Sequence, residues 1–507
     1  MGQRIEIIID RFDGGISQDR RVKDPTKFAL AKHFDTRSQP HKLIPYYMTE
    51  AAETKSLLIT DFIYAPSVSS TFRLFGFGDN GAGKIAVYKY NVLSPGTSWV
   101  TPSVNASTLN KANGSIPVFF YYKDFIYMWS ENKLVRFDNI TESTAFNNAY
   151  QSISFVDVAQ PVHHQADDIA YFFSDNKVHK QINNTTGWTS AILTLPDNLK
   201  IVSACQYGNY LAIACITKGA STSVADVQSV VFLWDRDSSV TTLADRIDFG
   251  RGAILFLTTL EGKLTAVMDY YTSVDLLNVG LNKGKIIVKQ VLGGLAKTVS
   301  SLELSSSASI AKQVPFVRDD VLYFSISTLP LNSDTHRGIM SVDGSGRMAL
   351  DIVVEEAPEV YNGIYAVGNQ WWIAHGTDGS VDRIDDGRAY SSSSPSVYES
   401  LINGGDARLD PRRTKKLIGV TVNHEFLPAN GRIDLYYRKD EDILAGSWTL
   451  IFTNTTDNSV SHGAINIEST GATLPEFKEI QFKIESLGGA VPTYLSFASE
   501  FIDKQVY

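Results

Sequence analysis

A strand, a tight polar turn and a second strand recur along the middle of this chain, and that recurrence constrains the fold more than any single motif. YYKDFIYMWSENKLVRFD (121–138) turns at Ser130-Glu131-Asn132, and ADDIAYFFSDNKVHKQIN (166–183) turns at Ser174-Asp175-Asn176. Both turns read Ser-acid-Asn-Lys, and asparagine tolerates the left-handed backbone that a two-residue hairpin needs. AILFLTTLEGKLTAVMD (253–269) turns at Glu261-Gly262, and VGNQWWIAHGTDGSVDRID (367–385) at Asp378-Gly379. Looser copies begin at Phe72, Tyr207 and Val317, which makes seven. Their spacing of roughly 40 to 65 residues is about one blade length, the mark of a β-propeller. The expected fold is therefore all-β, with a propeller of about seven blades.

The 26 phenylalanines and 23 tyrosines fall in short runs with β-branched neighbours, which is strand composition. Helical periodicity is nearly absent; the best candidate is TKFALAKH at 26–33. After the hairpins come a Ser/Pro stretch, AYSSSSPS, and LINGGDARLDPRRTKK, both linker-like. Beyond them LIGVTVNHEFL, GRIDLYYRKD, SWTLIFTN, AINIES, FKEIQFKIES and TYLSFASEF read as alternating strands of an antiparallel β-sandwich. We expect an N-terminal arm over 1–46, a propeller over 47–395 and a C-terminal sandwich over 396–507.

The arm opens with IEIIIDRFDGGISQDRR, an apolar strand followed by a double-glycine turn among charges of both signs. It is too short and too charged for a secretion signal or a membrane span. With no partner strand beside it in sequence, it is expected to add to a neighbouring protein through Ile7, Ile8, Phe12, Gly14, Gly15, Arg20 and Arg21. The alternative is that it closes the last blade of its own propeller. Arg412, Arg413, Lys415 and Lys416 form a second candidate interaction site, a basic cluster on a chain of net charge −9. That net charge argues against a broad nucleic-acid surface.

Chemistry is hard to find. The chain has no phosphate loop, nucleophile elbow, dinucleotide fingerprint or zinc-protease helix. His163-His164 with Asp167 and Asp168 could bind a divalent metal, but neighbours on a strand face opposite ways, so a polar loop is the expectation. Asp378, Asp382, Asp385 and Asp386 lack the spacing of a calcium loop. Asp235, Asp269, Asp320 and Asp382 lie at comparable hairpin positions and could line a carboxylate channel of the kind a glycosidase needs; as turn residues they need no such role. Tyr121-Tyr122, Trp371-Trp372, Tyr436-Tyr437 and Trp448 could stack on sugars or simply pack. Cys205 and Cys215 read as buried thiols. No catalytic residue, metal or cofactor is assigned.

IIIDRFDGGISQDRR, followed by FALAKHFDTRSQPHKLIPYY, resembles the start of structural proteins in the tail gene clusters of tailed bacteriophages. Those begin with a short apolar strand and a Phe-x-Gly-Gly-Ile turn. An aspartate…Pro-x-x-Leu-x-Pro-Tyr segment follows, matched here by Asp35 to Tyr46, and then a propeller. The ending is similar in architecture to the sandwich that closes propeller proteins of tail hubs and nozzles. The resemblance implies a non-enzymatic virion tail component, a ring, nozzle or tip element, with other tail proteins and copies of itself as partners. Its alternative is a tip protein that binds, or degrades, a host surface receptor or glycan.

Overall fold

The computed structural model describes residues 4–17, 24–47, 50–54, 58–66, 72–79, 85–91, 118–130, 133–138, 147–152, 158–183, 187–218, 227–237, 243–272, 283–305, 308–310, 315–331, 334–353, 361–376, 380–385, 390–455, 463–466 and 475–502. They form a seven-bladed β-propeller joined to a β-sandwich. Blades two to five each run outward through four consecutive antiparallel strands. Blade three, for example, is Val158–His164, Ile169–Ser174, Lys177–Gln181 and Trp188–Thr194. Blade one contributes Leu58–Pro66, Phe72–Asp79 and Ile85–Tyr90 among the described residues, and blade six is built on Val321–Leu331, Asp334–Val342 and Met348–Ile352. Blade seven takes Tyr361–Val367, Gln370–His375 and Ser380–Ile384, and its outermost strand is Glu50–Thr54, from before blade one. That strand closes the ring, and Tyr361–Val367 packs on Leu58–Pro66.

One hairpin turn departs from the roles expected of its residues: Asp175, not Asn176, takes the left-handed backbone. Ser174 pairs with Lys177 across Asp175-Asn176, and Leu260 pairs with Lys263 across Glu261-Gly262, with Asp175, Glu261 and Gly262 at positive φ. The turns at Glu131-Asn132 and Asp378-Gly379 lie outside the described residues. The first-to-second-strand ladder carries a register shift in blades one, three, four, five and seven, a repeat with no counterpart in residue identity. Serines occupy some of the amides beside it: Ser203 Oγ accepts from Leu257 N at 3.0 Å, and Ser229 Oγ from Ile254 N at 3.1 Å.

All six strands expected of the sandwich are present, joined by four more: Arg4–Ile9, Phe28–Lys32, Ser396–Ser400 and Glu476–Phe477. One sheet runs Arg4–Ile9, Pro492–Phe501, Lys415–His424 and Gly463–Asn466, with Glu476–Phe477 beside Lys415–His424. The other runs Phe28–Lys32, Ser396–Ser400, Ile480–Leu487, Arg432–Lys439 and Thr449–Asn454. Phe28–Lys32 also pairs in parallel with Met348–Ile352, so blade six and the sandwich share a sheet. A single core cluster extends from blades five and six through the N-terminal segment into both sandwich sheets.

Three expectations need correction. The N-terminal segment is not a free arm, nor does it close the propeller: Ile5, Ile7 and Ile9 are 5%, 1% and 1% exposed because they face the chain's own core, with Ile7 opposite Phe497. TKFALAKH is not helical. Phe28, Ala29, Leu30 and Ala31 are all buried, which suits an interior strand and not a helix with one wet face. The only α-helix among the described residues is Glu441–Ala445. The Ser/Pro stretch is packed rather than loose. Tyr390 stacks on Tyr47 at 4.7 Å, Ser391 Oγ accepts from Ser393 and Ser394 amides, and Ser396–Ser400 is an interior strand.

A candidate interaction site at the propeller–sandwich junction

The junction is built from the double-glycine turn outward. Gly15 sits at φ 80°, a conformation that favours glycine, and a Cβ there would meet Arg347 Cβ at 3.0 Å and Met348 O at 3.1 Å. This close approach lets Ile16 N donate to Met348 O at 2.8 Å, which lays the segment on blade six. Gly14 is needed for space instead, since a Cβ would lie 2.4 Å from Thr26 Oγ1. Phe12 is fully buried and meets the Tyr398 ring edge-on at 5.2 Å.

Two ion pairs tie the segment to the propeller. Asp13 accepts from Arg11 at 2.7 Å and Arg347 at 3.0 Å, and Arg347 also reaches Asp343 at 2.7 Å. Burial works to raise the Asp13 carboxyl, but Arg11 and Arg347 outweigh it and hold it below the usual carboxylate range. Deeper in, Arg37 donates to Asp351 and to Ser341. Asp351 is fully buried, and burial raises its carboxyl despite Arg37. His33, also buried, is pushed down to about 4 and is neutral. Leu43 N donates to Pro492 O at 2.9 Å, seating the Pro-x-x-Leu-x-Pro segment on the sandwich.

The expected interaction residues are therefore dispersed. Ile7, Phe12, Gly14 and Gly15 are internal, Ile8 is 47% exposed on the outer face, and Arg20 and Arg21 lie outside the described residues. The four charges of the basic cluster do not all reach the surface, which corrects that expectation. Arg412 is held by the Asp410 carboxylate at 3.0 and 2.9 Å, and Arg413 lies 3.9 Å over the Phe501 ring. Lys415 is buried with Nζ donating to Asp410 O at 2.6 Å, whereas Arg412 and Lys416 are exposed.

Among the described residues no reactive constellation assembles. His163 is exposed and bonds Asp168, whereas His164 is buried beside Arg236, so the two do face opposite ways. Among the described residues no three His, Cys, Asp or Glu side chains gather as a metal site. The four aspartates do not share a position, which removes the channel reading. Asp269 lies within the second strand of blade five, where burial pushes it up to about 6. Asp320 is at a hairpin tip, Asp382 pairs with His375 at 3.0 Å in a third strand, and Asp235 follows one. Asp378 and Asp386 lie outside the described residues. Tyr436 and Trp448 share a sandwich face, but Lys483 lies 4.2 Å over the first ring and Arg438 4.1 Å over the second. Cys205 and Cys215 are free thiols, each raised to about 12 by burial. Sequence reasoning missed Arg37, Asp351 and Arg347, because partners some 300 residues apart leave no local signal.

The chain matches no protein-family model and no curated protein. Among solved structures it is similar to YCF48 bound to D1 peptide, at 10% identity and a TM-score of 0.41, covering 70% of this chain and 98% of that one. It is also similar to BamB from Moraxella catarrhalis, at 12% identity and 0.36, covering 65% and 83%. The computationally designed Ika8 protein gives 12% and 0.37, covering 66% and 98%. The propeller assignment rests on the blades themselves. No helix among the described residues is long and apolar enough to cross a membrane.

Proposed function

We propose that this chain is a structural component of a bacteriophage tail, a ring, nozzle or tip element that works through protein–protein interfaces. The observation that carries the reading is where the phage-like residues fall. Phe12, Gly14, Gly15, Asp35, Leu43, Pro45 and Tyr46 all lie in the segment that joins propeller to sandwich. A motif spent on joining two domains into one body suits a protein whose task is mechanical. The shared sheet and the continuous core support the same reading, because load passes through packed strands and not through a linker.

Particle composition tests it. In this reading the chain copurifies with tail proteins in several equivalent copies, and its removal leaves tails incomplete. A chain that is absent from particles and cleaves a surface polysaccharide as a free monomer would overturn it.

A further inference from the structure

Arg4–Ile9 is the last strand of its sheet, so one side of its backbone has no strand beside it among the described residues. Backbone groups of successive residues in an antiparallel strand point alternately toward and away from the neighbour. Two side chains show which set points away. Arg408 Nη2 donates to Glu6 O at 3.1 Å, and His41 Nδ1 lies 2.7 Å from Asp10 O, so it must donate. Arg4 and Ile8 share that parity, and Ile8 is 47% exposed.

The Arg408 cap is fixed in place. Arg408 is clamped on Asp406 by contacts of 3.0 and 2.7 Å, and its loop is seated by Gly404 against Ile7 and Phe497. Asn403 anchors the same loop, accepting from Ile480 N at 3.0 Å and donating to Leu409 O at 3.3 Å. Open strand edges are templates for pairing, and proteins block them with charged side chains.

We infer that Arg4–Ile9 is a strand-pairing surface for a second copy of this chain, held closed by Arg408 and His41. The strand is self-complementary. Antiparallel pairing about a two-fold axis at Ile7 sets Arg4 opposite Asp10 of the other copy at both ends, with Glu6 opposite Ile8. Sliding the copies to centre on Glu6 instead sets two glutamates face to face. The charges therefore favour centring on Ile7 over centring on Glu6, and only the former brings both capped carbonyls, of Glu6 and Asp10, into the paired region with Arg4 opposite Asp10. The inference is independent of the tail reading.

The test is sedimentation velocity on the full chain across a concentration series. R408A/H41A removes both caps and leaves Ile5, Ile7 and Ile9 in the core; its dimer constant tightens roughly tenfold or more over the parent. Adding R4D sets like charges opposite each other and cancels the gain, and R4D/D10R in the uncapped background restores it. R408A alone serves if the double variant does not fold. Self-association no stronger than the parent's, or a gain that survives R4D, would overturn the inference.

Discussion

Blade three and the sandwich are both antiparallel sheets, yet they are assembled from opposite kinds of pairing. In blade three, strands 158–194 meet only their neighbours in sequence, through turns whose residues fix the register. In the sandwich, Arg4–Ile9 meets Pro492–Phe501 and Phe28–Lys32 meets Ser396–Ser400, across nearly the whole chain. Local pairing makes a blade stable through what lies beside it. Non-local pairing makes the sandwich depend on a segment made long before it.

The largest consequence is for truncation. Deleting 2–21 strips Ile5, Ile7, Ile9, Phe12 and Ile16 from the shared core. At about 1.5–3 kcal/mol for each buried side chain, the loss is on the order of 10 kcal/mol, comparable to the stability of a whole domain. The sandwich should unfold while blades two to five persist, so limited proteolysis should digest 401–507 and spare those blades. Residues 401–507 expressed alone should likewise fail to fold. A truncated chain with a protease-resistant sandwich would show that the first strand is dispensable.

Next in size is the buried ion pair. Asp351→Ala leaves Arg37 without its carboxylate and should cost about 3–5 kcal/mol. Asp168→Ala removes an exposed blade-to-blade partner of Lys123 and His163, so its effect should be far smaller. Denaturant midpoints for the two variants give the contrast directly. Equal shifts would mean that the junction is no more demanding than a blade contact.

Glycines sharpen the comparison further. Gly15 and Gly262 have similar φ, 80° and 72°, but a Cβ at Gly15 meets blade six and one at Gly262 meets nothing within 4 Å. Gly262→Ala should cost about 1 kcal/mol, the backbone term alone. Gly15→Ala adds the contact with Arg347 and should cost about 1–3 kcal/mol. Thermal midpoints decide it, and an equal cost would mean that the segment shifts to accommodate the methyl.

Legibility followed the same division. Ser174-Asp175-Asn176 and Glu261-Gly262 could be read as turns because the residues that make a turn are adjacent, and the six sandwich strands alternate visibly. The fate of Ile7 could not be read, since an apolar strand looks the same whether it adds to a neighbour or to its own chain. Phe28–Lys32 was misleading for a related reason: a strand buried on both faces loses its alternation, and Ala-Leu-Ala has high helix propensity. The junction pairs were invisible because Arg37 and Asp351 carry no mark of each other. The charges at 412–416 were visible as a cluster but not as four separate environments.

Those environments give the smallest effect. Lys415 lies over the Phe477 and Phe501 rings, and burial lowers its ammonium to about 8, with Asp410, Asp440 and Glu479 opposing the shift. The sign follows from proton counting. Between about pH 8 and the unfolded value of 10.5, the unfolded chain holds this proton and the folded chain does not. Stability therefore rises with pH across that window, and below pH 8 the fold carries the full cost of the buried charge. Lys415 is buried, but Asp410, Asp440 and Glu479 offset part of the cost of burying its charge, so the net effect is small, on the order of 1 kcal/mol. Lys415→Met keeps the stem between the rings and removes the charge, at the loss of one hydrogen bond to Asp410 O. The sandwich should then be as stable or slightly more stable at pH 7, and its rise between pH 8 and 10 should disappear. Denaturant titrations of parent and variant at pH 7, 8 and 10, following protection of 401–507 from proteolysis, measure both parts. A pH-dependent rise that persists in the variant would assign the slope to another group and leave Lys415 a neutral packing residue.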